Sequence, residues 1–267
     1  MTGELASKSY WDQVWSRAPA ARPIDPRDRS LRNHLSRQFD RFFREILAPV
    51  PPCARLLEVG CARSRWLPYF AREHSLHVSG IDYSEQGCEQ ARAVLRAARV
   101  DGDVRCADLF APPQDFRSAF DVVVSFGLVE HYPDTAAVLR AIGEYAAPGG
   151  FIVTFIPNMT GATGRAMRLL NAPVYRKHVP LGRDNLARAH RLAGLDPVLS
   201  RWFATCNFGV VNLNGVLSGT LDWYARSAAL TLLLGITAGT WLVEELGVRL
   251  PARGAWSPYV VCVARRG

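Results

Sequence analysis

The sequence has almost no lysine: of its 32 basic residues, only Lys8 and Lys177 are lysines. The formal net charge is still +8, because arginine supplies the rest. The arginines are scattered and form no run of the kind found in a nucleic-acid-binding tail. We therefore expect an anionic small molecule to suit this chain better than nucleic acid. The preference for arginine over lysine is also what a GC-rich genome produces.

Cysteine and histidine patterns of known structural sites are missing. The six cysteines form no C-x-x-C pair and do not have the spacing of a secreted disulfide scaffold. Most of them fall in or beside predicted strands, where cysteine packs as a small hydrophobic residue. The six histidines also lack the spacing of metal ligands. The sequence therefore predicts no metal site.

Long apolar runs are absent as well. Residues 1–30 are polar and contain acids and prolines, which does not fit a signal peptide. The longest uncharged run, residues 227–243, is about seventeen residues long and contains Gly235 and Gly239. That is short for a helix that crosses a bilayer. We expect a cytoplasmic protein without stable membrane insertion.

What the sequence does contain is a regular alternation of short apolar runs with helix-like segments from residue 55 onward. This alternation predicts a parallel sheet with right-handed crossovers. The predicted strands are residues 55–59, 77–81, 103–107, 120–125, 151–156, 197–205 and 257–265. The length of 267 residues is enough for one α/β core with appendages.

The first strand ends in a turn of small residues, Gly60, Ala62 and Ser64. Such a turn lets backbone N–H groups approach a ligand closely at the start of a helix. Asp82 stands twenty-two residues after Gly60, at the end of the second strand. A carboxylate at this spacing can accept hydrogen bonds from both hydroxyls of a ribose. The first half of the chain is therefore predicted to bind a nucleoside-bearing cofactor.

With Glu58 just before the turn, this region resembles the class I S-adenosylmethionine (SAM) methyltransferases. Their first motif reads roughly E/D-x-G-x-G-x-G, and here Ala62 and Ser64 stand in place of the later glycines. The resemblance extends over residues 55–156. Its elements, in order, are Glu58 to Gly60, Asp82, Asp108, the loop at 126–132 and the tripeptide Pro148-Gly149-Gly150.

The resemblance implies SAM as the cofactor and S-adenosylhomocysteine as its product. It places Asp82 on the ribose and Asp108 on the adenine amino group, although Asp108 also suits a turn or a helix cap. Leu109 would stack near the adenine ring and Phe126 would line the methyl-donor channel. The predicted cofactor-binding residues are Tyr10, Glu58, Gly60, Cys61, Ala62, Asp82, Tyr83, Asp108, Leu109 and Phe126.

The resemblance also implies a Rossmann-like, seven-stranded, mostly parallel sheet with an antiparallel last strand. Around the core at 55–205 and 257–265 we expect a helical N-terminal lid at 1–50. The aromatic segment at 10–15 suits either a lid or packing on the core. A helical insert at 206–256, interpreted as two helices flanking Gly235 and Gly239, suits a cap, a dimer surface or a wall of the acceptor pocket.

Methyl transfer from SAM is an in-line displacement, so the protein mainly aligns the acceptor and removes its proton. The fold would place Glu130 and His131 after the fourth strand, near the methyl donor. His131 suits either a general base or a residue that braces the loop. The loop after the fourth strand lacks the [N/D]-P-P-[Y/F] and Pro-Cys motifs of nucleic-acid base methyltransferases, and it offers too few acids for a catechol-type metal site.

Metal-independent methylation of an oxygen or nitrogen of a small-molecule acceptor is the function expected from these features. Secondary metabolism is one setting left open, as is a homodimer. Two alternatives stay open at this point. One is an RNA-modifying methyltransferase, and the other is a non-catalytic partner protein with the SAM-binding fold.

Overall fold

A computed structural model describes residues 3–17 and 21–267. Residues 1–2 and 18–20 of the predicted N-terminal lid lie outside this description. The described residues form nine α-helices: α1 Lys8–Arg17, α2 His34–Ile46, α3 Leu67–His74, α4 Glu85–Ala98, α5 Thr135–Gly143, α6 Ala162–Leu170, α7 Ala172–Tyr175, α8 Arg183–Leu192 and α9 Leu221–Glu245. They also form seven strands: β1 Arg55–Val59, β2 His77–Asp82, β3 Gly102–Cys106, β4 Phe120–Phe126, β5 Ala146–Pro157, β6 Leu195–Phe203 and β7 Tyr259–Arg266.

The strands form a single sheet in the order β3-β2-β1-β4-β5-β7-β6. β1 pairs in parallel with β2 and β4, whereas β7 is antiparallel to both β5 and β6. The predicted Rossmann-like sheet with an antiparallel last strand is therefore confirmed. Because the carboxyl ends of β1, β2 and β4 meet at one edge, the loops that follow them converge there.

The start of β5 differs from the prediction. The predicted strand starts at residue 151, after Pro148, Gly149 and Gly150, but β5 already begins at Ala146. The pairing of β4 with β5 is irregular in this region. A Cβ atom at Gly150 would lie 3.0 Å from the carbonyl oxygen of Phe120. Glycine here therefore permits a close approach of two backbones and does not break the strand.

Helix α2 belongs to the core, although the predicted lid at 1–50 included it. Phe42 and Phe43 are buried, and the ring of Phe39 lies 4.5 Å from that of Phe203 on β6. The apolar stripe of α2 thus covers one face of the sheet, and burying it stabilises the domain. Only the segment that contains α1 remains a candidate lid.

The insert contains one long helix, so the prediction of two helices is wrong. α9 runs through Gly235 and Gly239 without a break. Its inner face is held by polar contacts: Thr237 Oγ1 accepts from the Phe208 N–H at 3.0 Å, and Trp241 Nε1 donates to the Cys206 carbonyl at 2.9 Å. These contacts offset the roughly 1 kcal/mol that each interior glycine costs a helix.

α9 is, among the described helices, the one long and apolar enough to cross a membrane. Its most apolar stretch has a mean hydropathy of 1.4, and only 6% of that stretch is buried. Length and composition alone do not separate a spanning helix from a helix packed on a domain. The absence of stable membrane insertion therefore stays a prediction.

Candidate functional site

The carboxyl ends of β1, β2 and β4 open onto a cavity of about 240 Å³, which we call the donor cavity. A smaller cavity of about 40 Å³ shares five of its lining residues and extends it past the end of β3. The shared residues are Gly60, Asp82, Tyr83, Leu128 and Tyr132. Predicted cofactor residues that line one or both cavities are Glu58, Gly60, Ala62, Asp82, Tyr83, Asp108, Leu109 and Phe126.

The small-residue turn is fixed to the end of β2 by Asp82. One carboxylate oxygen of Asp82 accepts from the Ala62 N–H at 3.0 Å, and the other accepts from the Ser84 N–H at 2.8 Å. Gly60 adopts a positive φ of 77°, and Leu128 lies 3.4 Å from where its Cβ would be. Burial raises the pKa of Asp82 above its usual value. Each carboxylate oxygen keeps a second lone-pair direction for a ligand hydroxyl.

Ser64 explains one departure from the glycine motif. Its hydroxyl donates to Glu58 Oε2 at 2.5 Å and accepts from the N–H groups of Trp66 and Leu67 at 3.0 and 3.1 Å. It therefore holds the turn before α3 and pairs with Glu58, the buried acid of the motif. Burial raises the pKa of Glu58 to about 8. The sequence pattern shows Ser64 only as a replacement for a motif glycine and does not predict its hydrogen bond to Glu58.

The residues after β3 form a turn beside the smaller cavity, and the contact of Asp108 with adenine stays a prediction. Asp108 Oδ1 accepts from the Phe110 N–H at 2.9 Å, which is a turn contact, and Asp108 also lines the smaller cavity. Leu109 is buried beside it, and its carbonyl accepts from the Tyr145 hydroxyl at 3.1 Å.

The N-terminal segment contributes to the donor cavity through Glu4, Trp11 and Trp15. Tyr83 donates its hydroxyl proton to Glu4 at 2.5 Å, and the Trp11 ring meets the His131 ring edge-on at 5.0 Å. This segment is further fixed by Asp12, which accepts from the Ser84 hydroxyl at 2.6 Å, and by the Leu5 N–H, which donates to the His131 carbonyl at 2.8 Å.

Two predicted cofactor residues lie away from the cavity linings that the described residues form. The Tyr10 ring lies under the Lys177 ammonium at 4.3 Å, whereas neighbouring Trp11 lines the donor cavity. Cys61 is buried, and a Cβ at Gly80 would lie 2.6 Å from its sulfur. The alternation of side chains along the turn points Cys61 into the core, whereas Gly60 and Ala62 reach the cavity.

A second cavity of about 420 Å³, which we call the acceptor cavity, lies next to the first. Much of its lining is apolar and comes from α2, β5, β7 and the loop after β6. Five residues line both cavities: Arg65, Trp66, Phe126, Gly127 and His131. The rings of Trp66 and Phe126 stack at 4.8 Å within this shared wall.

Glu130 and His131, which are buried, and His178, which is partly exposed, form a cluster on the wall of the acceptor cavity. Each offers one ligand atom, and these atoms lie within 4.8 Å of one another. Burial, helped by neighbouring His178, lowers the pKa of His131 to about 4, and burial raises the pKa of Glu130 to about 8. His178, which sequence reasoning missed, is brought here because the Val179 N–H donates to the Glu130 carbonyl at 2.6 Å.

A family model described as a methyltransferase domain matches residues 29–200, which is more than half of the chain. The chain belongs to this methyltransferase family. The cofactor of this family is S-adenosylmethionine, as predicted. The prediction of a SAM-dependent methyltransferase is confirmed.

This methyltransferase is similar to the ubiquinone biosynthesis O-methyltransferase of Neisseria meningitidis serogroup A, with 33% identity over 182 residues that cover 59% of this chain and 74% of the relative. In fold it resembles the [4+2]-cyclase SpnF, with a TM-score of 0.63, 17% identity and coverage of 97% and 95%. It also resembles the geranyl diphosphate C-methyltransferase of Streptomyces coelicolor, with a TM-score of 0.58, 16% identity and coverage of 97% and 98%. At these identities the structural likeness concerns the fold alone.

Proposed function

We propose that this methyltransferase transfers the methyl group of SAM to an oxygen of a small, largely apolar molecule. The observation that carries the proposal is the wall shared by the two cavities. SAM in the donor cavity would have its ribose at Asp82, and its methyl group would point past Phe126 to the acceptor. An in-line displacement needs the donor methyl and the acceptor atom on either side of one such opening.

The chemistry of the acceptor cavity supports this substrate class. Phe39, Phe155 and Tyr259 belong to its apolar lining, whereas Glu130, His131 and His178 form its polar cluster. An apolar molecule with a hydroxyl group directed at this cluster would fit both parts. Similarity to a ubiquinone biosynthesis O-methyltransferase favours oxygen over nitrogen as the acceptor atom.

His131 is the residue that both cavities share with the polar cluster. Its Nδ1 lies 2.7 Å from the carbonyl oxygen of Lys177, so Nδ1 carries the proton of the neutral ring. Nε2 is then the nitrogen with a free lone pair, and it lies 3.8 Å from Glu130 Oε1. Activation of the acceptor hydroxyl beside this nitrogen is the step that the site has to supply.

The test is to incubate the protein with isotopically labelled SAM and a panel of hydroxylated aromatic and isoprenoid molecules, and to detect methylated products by mass spectrometry. We expect His131→Ala to lower turnover by about 10²–10⁴ without changing SAM affinity. His77→Ala, at the exposed start of β2, is the matched control and should keep full turnover. Turnover within about threefold of the parent in His131→Ala would remove His131 from the mechanism, whereas a panel that gives no O-methylated product would contradict the proposed function.

A further inference from the structure

We propose that Glu130, His131 and His178 form a binding site for a divalent transition-metal ion of the Zn²⁺ or Co²⁺ type. One carboxylate and two imidazoles, each offering one ligand atom within 4.8 Å of the others, are a donor set that such ions favour. The three residues come from two separate segments, so their convergence was not visible as a spacing pattern in the sequence.

The carboxylate of Glu130 is the second and independent observation. Glu130 is fully buried, and neither of its oxygens has a hydrogen-bond partner among the described residues. A buried acid without partners is costly, and native structures rarely keep one without a ligand, ion or water to satisfy it. A cation between the carboxylate and the imidazoles would remove this cost.

Both histidines are already oriented as metal ligands are. His131 Nδ1 is 2.7 Å from the Lys177 carbonyl, and His178 Nδ1 is 2.9 Å from the Val174 carbonyl. A carbonyl oxygen only accepts, so both Nδ1 atoms are protonated and both Nε2 atoms are left with free lone pairs. Ligating histidines commonly have this kind of contact on their other nitrogen, because it fixes the ring orientation and the tautomer.

Three protein ligands leave a coordination position for a substrate or water. Because all three residues line the acceptor cavity, that position faces the bound acceptor. On a cation held there, an acceptor hydroxyl would have a lowered pKa and would release its proton to solvent water. Its anionic oxygen would then form the new C–O bond as the methyl–sulfur bond of SAM breaks and S-adenosylhomocysteine leaves. This role rests on the proposed function, whereas the metal site itself does not. The proposal departs from the metal-independent mechanism expected from the sequence, because a metal on His131 Nε2 would occupy the lone pair that a general base requires.

The test uses the full chain after chelator treatment, without SAM or acceptor. Titration with Co²⁺ should give visible d–d absorption that saturates at one equivalent, and calorimetry with Zn²⁺ should give the same stoichiometry. Glu130→Gln and His178→Gln should each weaken binding by at least about tenfold, whereas His77→Ala should bind as the parent does. SAM affinity, measured separately, should be unchanged in all three variants.

Absence of a saturable one-equivalent site, or binding that persists in both Glu130→Gln and His178→Gln, would overturn the metal proposal. His178 is only half-buried, so its variant should fold even if a change at Glu130 does not. Metal binding by a protein that then fails to methylate any acceptor would contradict the proposed function and leave the metal site standing.

A different observation, on the outer face of α9, carries a second proposal. The inner side of this helix carries its polar contacts, and its outer side is apolar: Leu232, Ile236 and Leu242 are more than half exposed. No charged residue occurs between Arg226 and Glu244. This is the reverse of an ordinary surface helix, whose apolar face points inward. An exposed apolar face of this length marks a surface that binds a partner.

We propose that an anionic lipid bilayer covers this face, with α9 lying in the plane of the interface. Four exposed arginines belong to the segments next to the helix: Arg165 and Arg168 on α6, whose last residue Leu170 contacts Arg226 of α9, and Arg249 and Arg253, which follow α9 in the chain. Among the described residues they have no ion pair. The acids of the helix are all paired internally: Asp222 with Arg226, Glu244 with His34, and Glu245 with Arg37. A two-fold pairing of two copies through α9 would bring like charges together, whereas anionic headgroups complement them.

An in-plane orientation follows from the inner contacts of α9. Crossing the bilayer would break the bonds of Arg226 to the Leu170 carbonyl at 2.6 Å and of Trp241 to the Cys206 carbonyl at 2.9 Å. Lying on the surface breaks none of them. On its inner side, α9 packs on the short helix that contains Val210, a residue that lines the acceptor cavity.

Co-sedimentation with vesicles tests this proposal. The full chain should bind vesicles made of equal parts phosphatidylcholine and phosphatidylglycerol, and should bind pure phosphatidylcholine weakly. Leu232→Asp combined with Ile236→Asp should lower binding at least about tenfold, and Arg168→Gln should lower it about fivefold on anionic vesicles alone. Leu192→Asp, which changes an equally exposed leucine on α8, is the control and should bind as the parent does.

Equal binding by the parent and the Leu232→Asp, Ile236→Asp variant would overturn the membrane proposal. So would sedimentation velocity that shows a dimer in the parent and a monomer in that variant, because a second copy would then cover the face.

Discussion

At the scale of single residues, Asp82 has two tasks, since it holds the small-residue turn and faces the donor cavity. Asp82→Ala should weaken SAM binding by about ten- to a hundredfold, because ribose hydroxyls would lose a charged acceptor worth about 1.5–3 kcal/mol. Calorimetry of SAM binding gives the measurement.

The matched control for this change is Asp134→Ala. It removes the cap of α5, where Asp134 Oδ1 accepts from the Ala137 N–H at 3.0 Å, but Asp134 is exposed and does not line the donor cavity. Its SAM affinity should stay within about threefold of the parent even if its melting temperature falls. Equal affinity in Asp82→Ala and the parent would remove Asp82 from the cofactor site.

Glu58 makes a prediction about pH. Its folded pKa of about 8 lies above the ordinary value of 4.5, so the folded state binds the proton more tightly than the unfolded state. This contribution to the free energy of unfolding is complete below pH 4.5 and is lost as pH rises towards 8. In Glu58→Gln, the free energy of unfolding should therefore fall less between pH 4.5 and pH 8 than it does in the parent. Urea unfolding at a series of pH values without SAM gives the measurement.

The exposed Glu85→Gln is the control for this series and should leave the pH dependence as in the parent. Part of the decrease in the free energy of unfolding with pH will remain in Glu58→Gln, because burial also raises the pKa of Glu130. An unchanged decrease in Glu58→Gln would mean that Glu58 is ionised in the folded protein.

A site residue can be predicted from the sequence when its role is set by residues close to it in the chain, and it is missed when its role depends on contacts made by folding. Gly60 and Asp82 follow from strand ends and spacing, and the structure brings both to the donor cavity. Ser64 and His178 were missed, because their roles depend on contacts with Glu58 and Glu130. His178 lies 47 residues from His131 in the chain. Only the folded chain shows that the two rings lie 4.7 Å apart.

At the scale of elements, strands were more predictable than the helices outside the core. β1 begins at Arg55 and β2 at His77 as predicted, because apolar runs between turn residues fix them. α9 was read as two helices because glycine normally weakens a helix, and tertiary contacts outweighed that preference here. The same applies to β5, whose start depends on pairing with β4.

The N-terminal segment provides the prediction at this scale. α1 is held by polar contacts such as Gln90 Nε2 to the Trp15 carbonyl at 2.9 Å, whereas α2 is packed into the core. Deleting residues 1–20 should therefore weaken SAM binding by about tenfold and change the melting temperature little. The reason is that Trp11 and Trp15, which line the donor cavity, would be lost without opening the core.

Trp11→Ala is the companion variant, because it removes a ring from the donor cavity and from His131 while leaving the chain intact. It should reproduce part of the loss in SAM affinity. A truncated chain that does not fold would show that residues 1–20 belong to the core and do not act as a lid.

At the scale of the whole molecule, the appendages are tied to one core. Glu244 Oε2 on α9 lies 2.9 Å from His34 Nε2 on α2, and the phenylalanines of α2 pack on β5 and β6. The insert, α2 and the sheet are therefore joined by direct contacts. A homodimer and weak affinity for nucleic acid stay predictions, since oligomeric state and RNA binding require measurements on the protein in solution.

The last prediction follows from these contacts and concerns thermal unfolding. Without ligand, calorimetry should show one cooperative transition, because α9 and α2 share buried and charged contacts with the core. SAM at about a hundred times its Kd adds about 2.7 kcal/mol to the free energy of unfolding. For a chain of this length that corresponds to a rise of about 5–11 °C in melting temperature. The shift should move the whole transition and should be smaller in Asp82→Ala at the same SAM concentration. Two transitions, of which SAM moves only one, would show that α9 unfolds independently of the sheet that binds the cofactor.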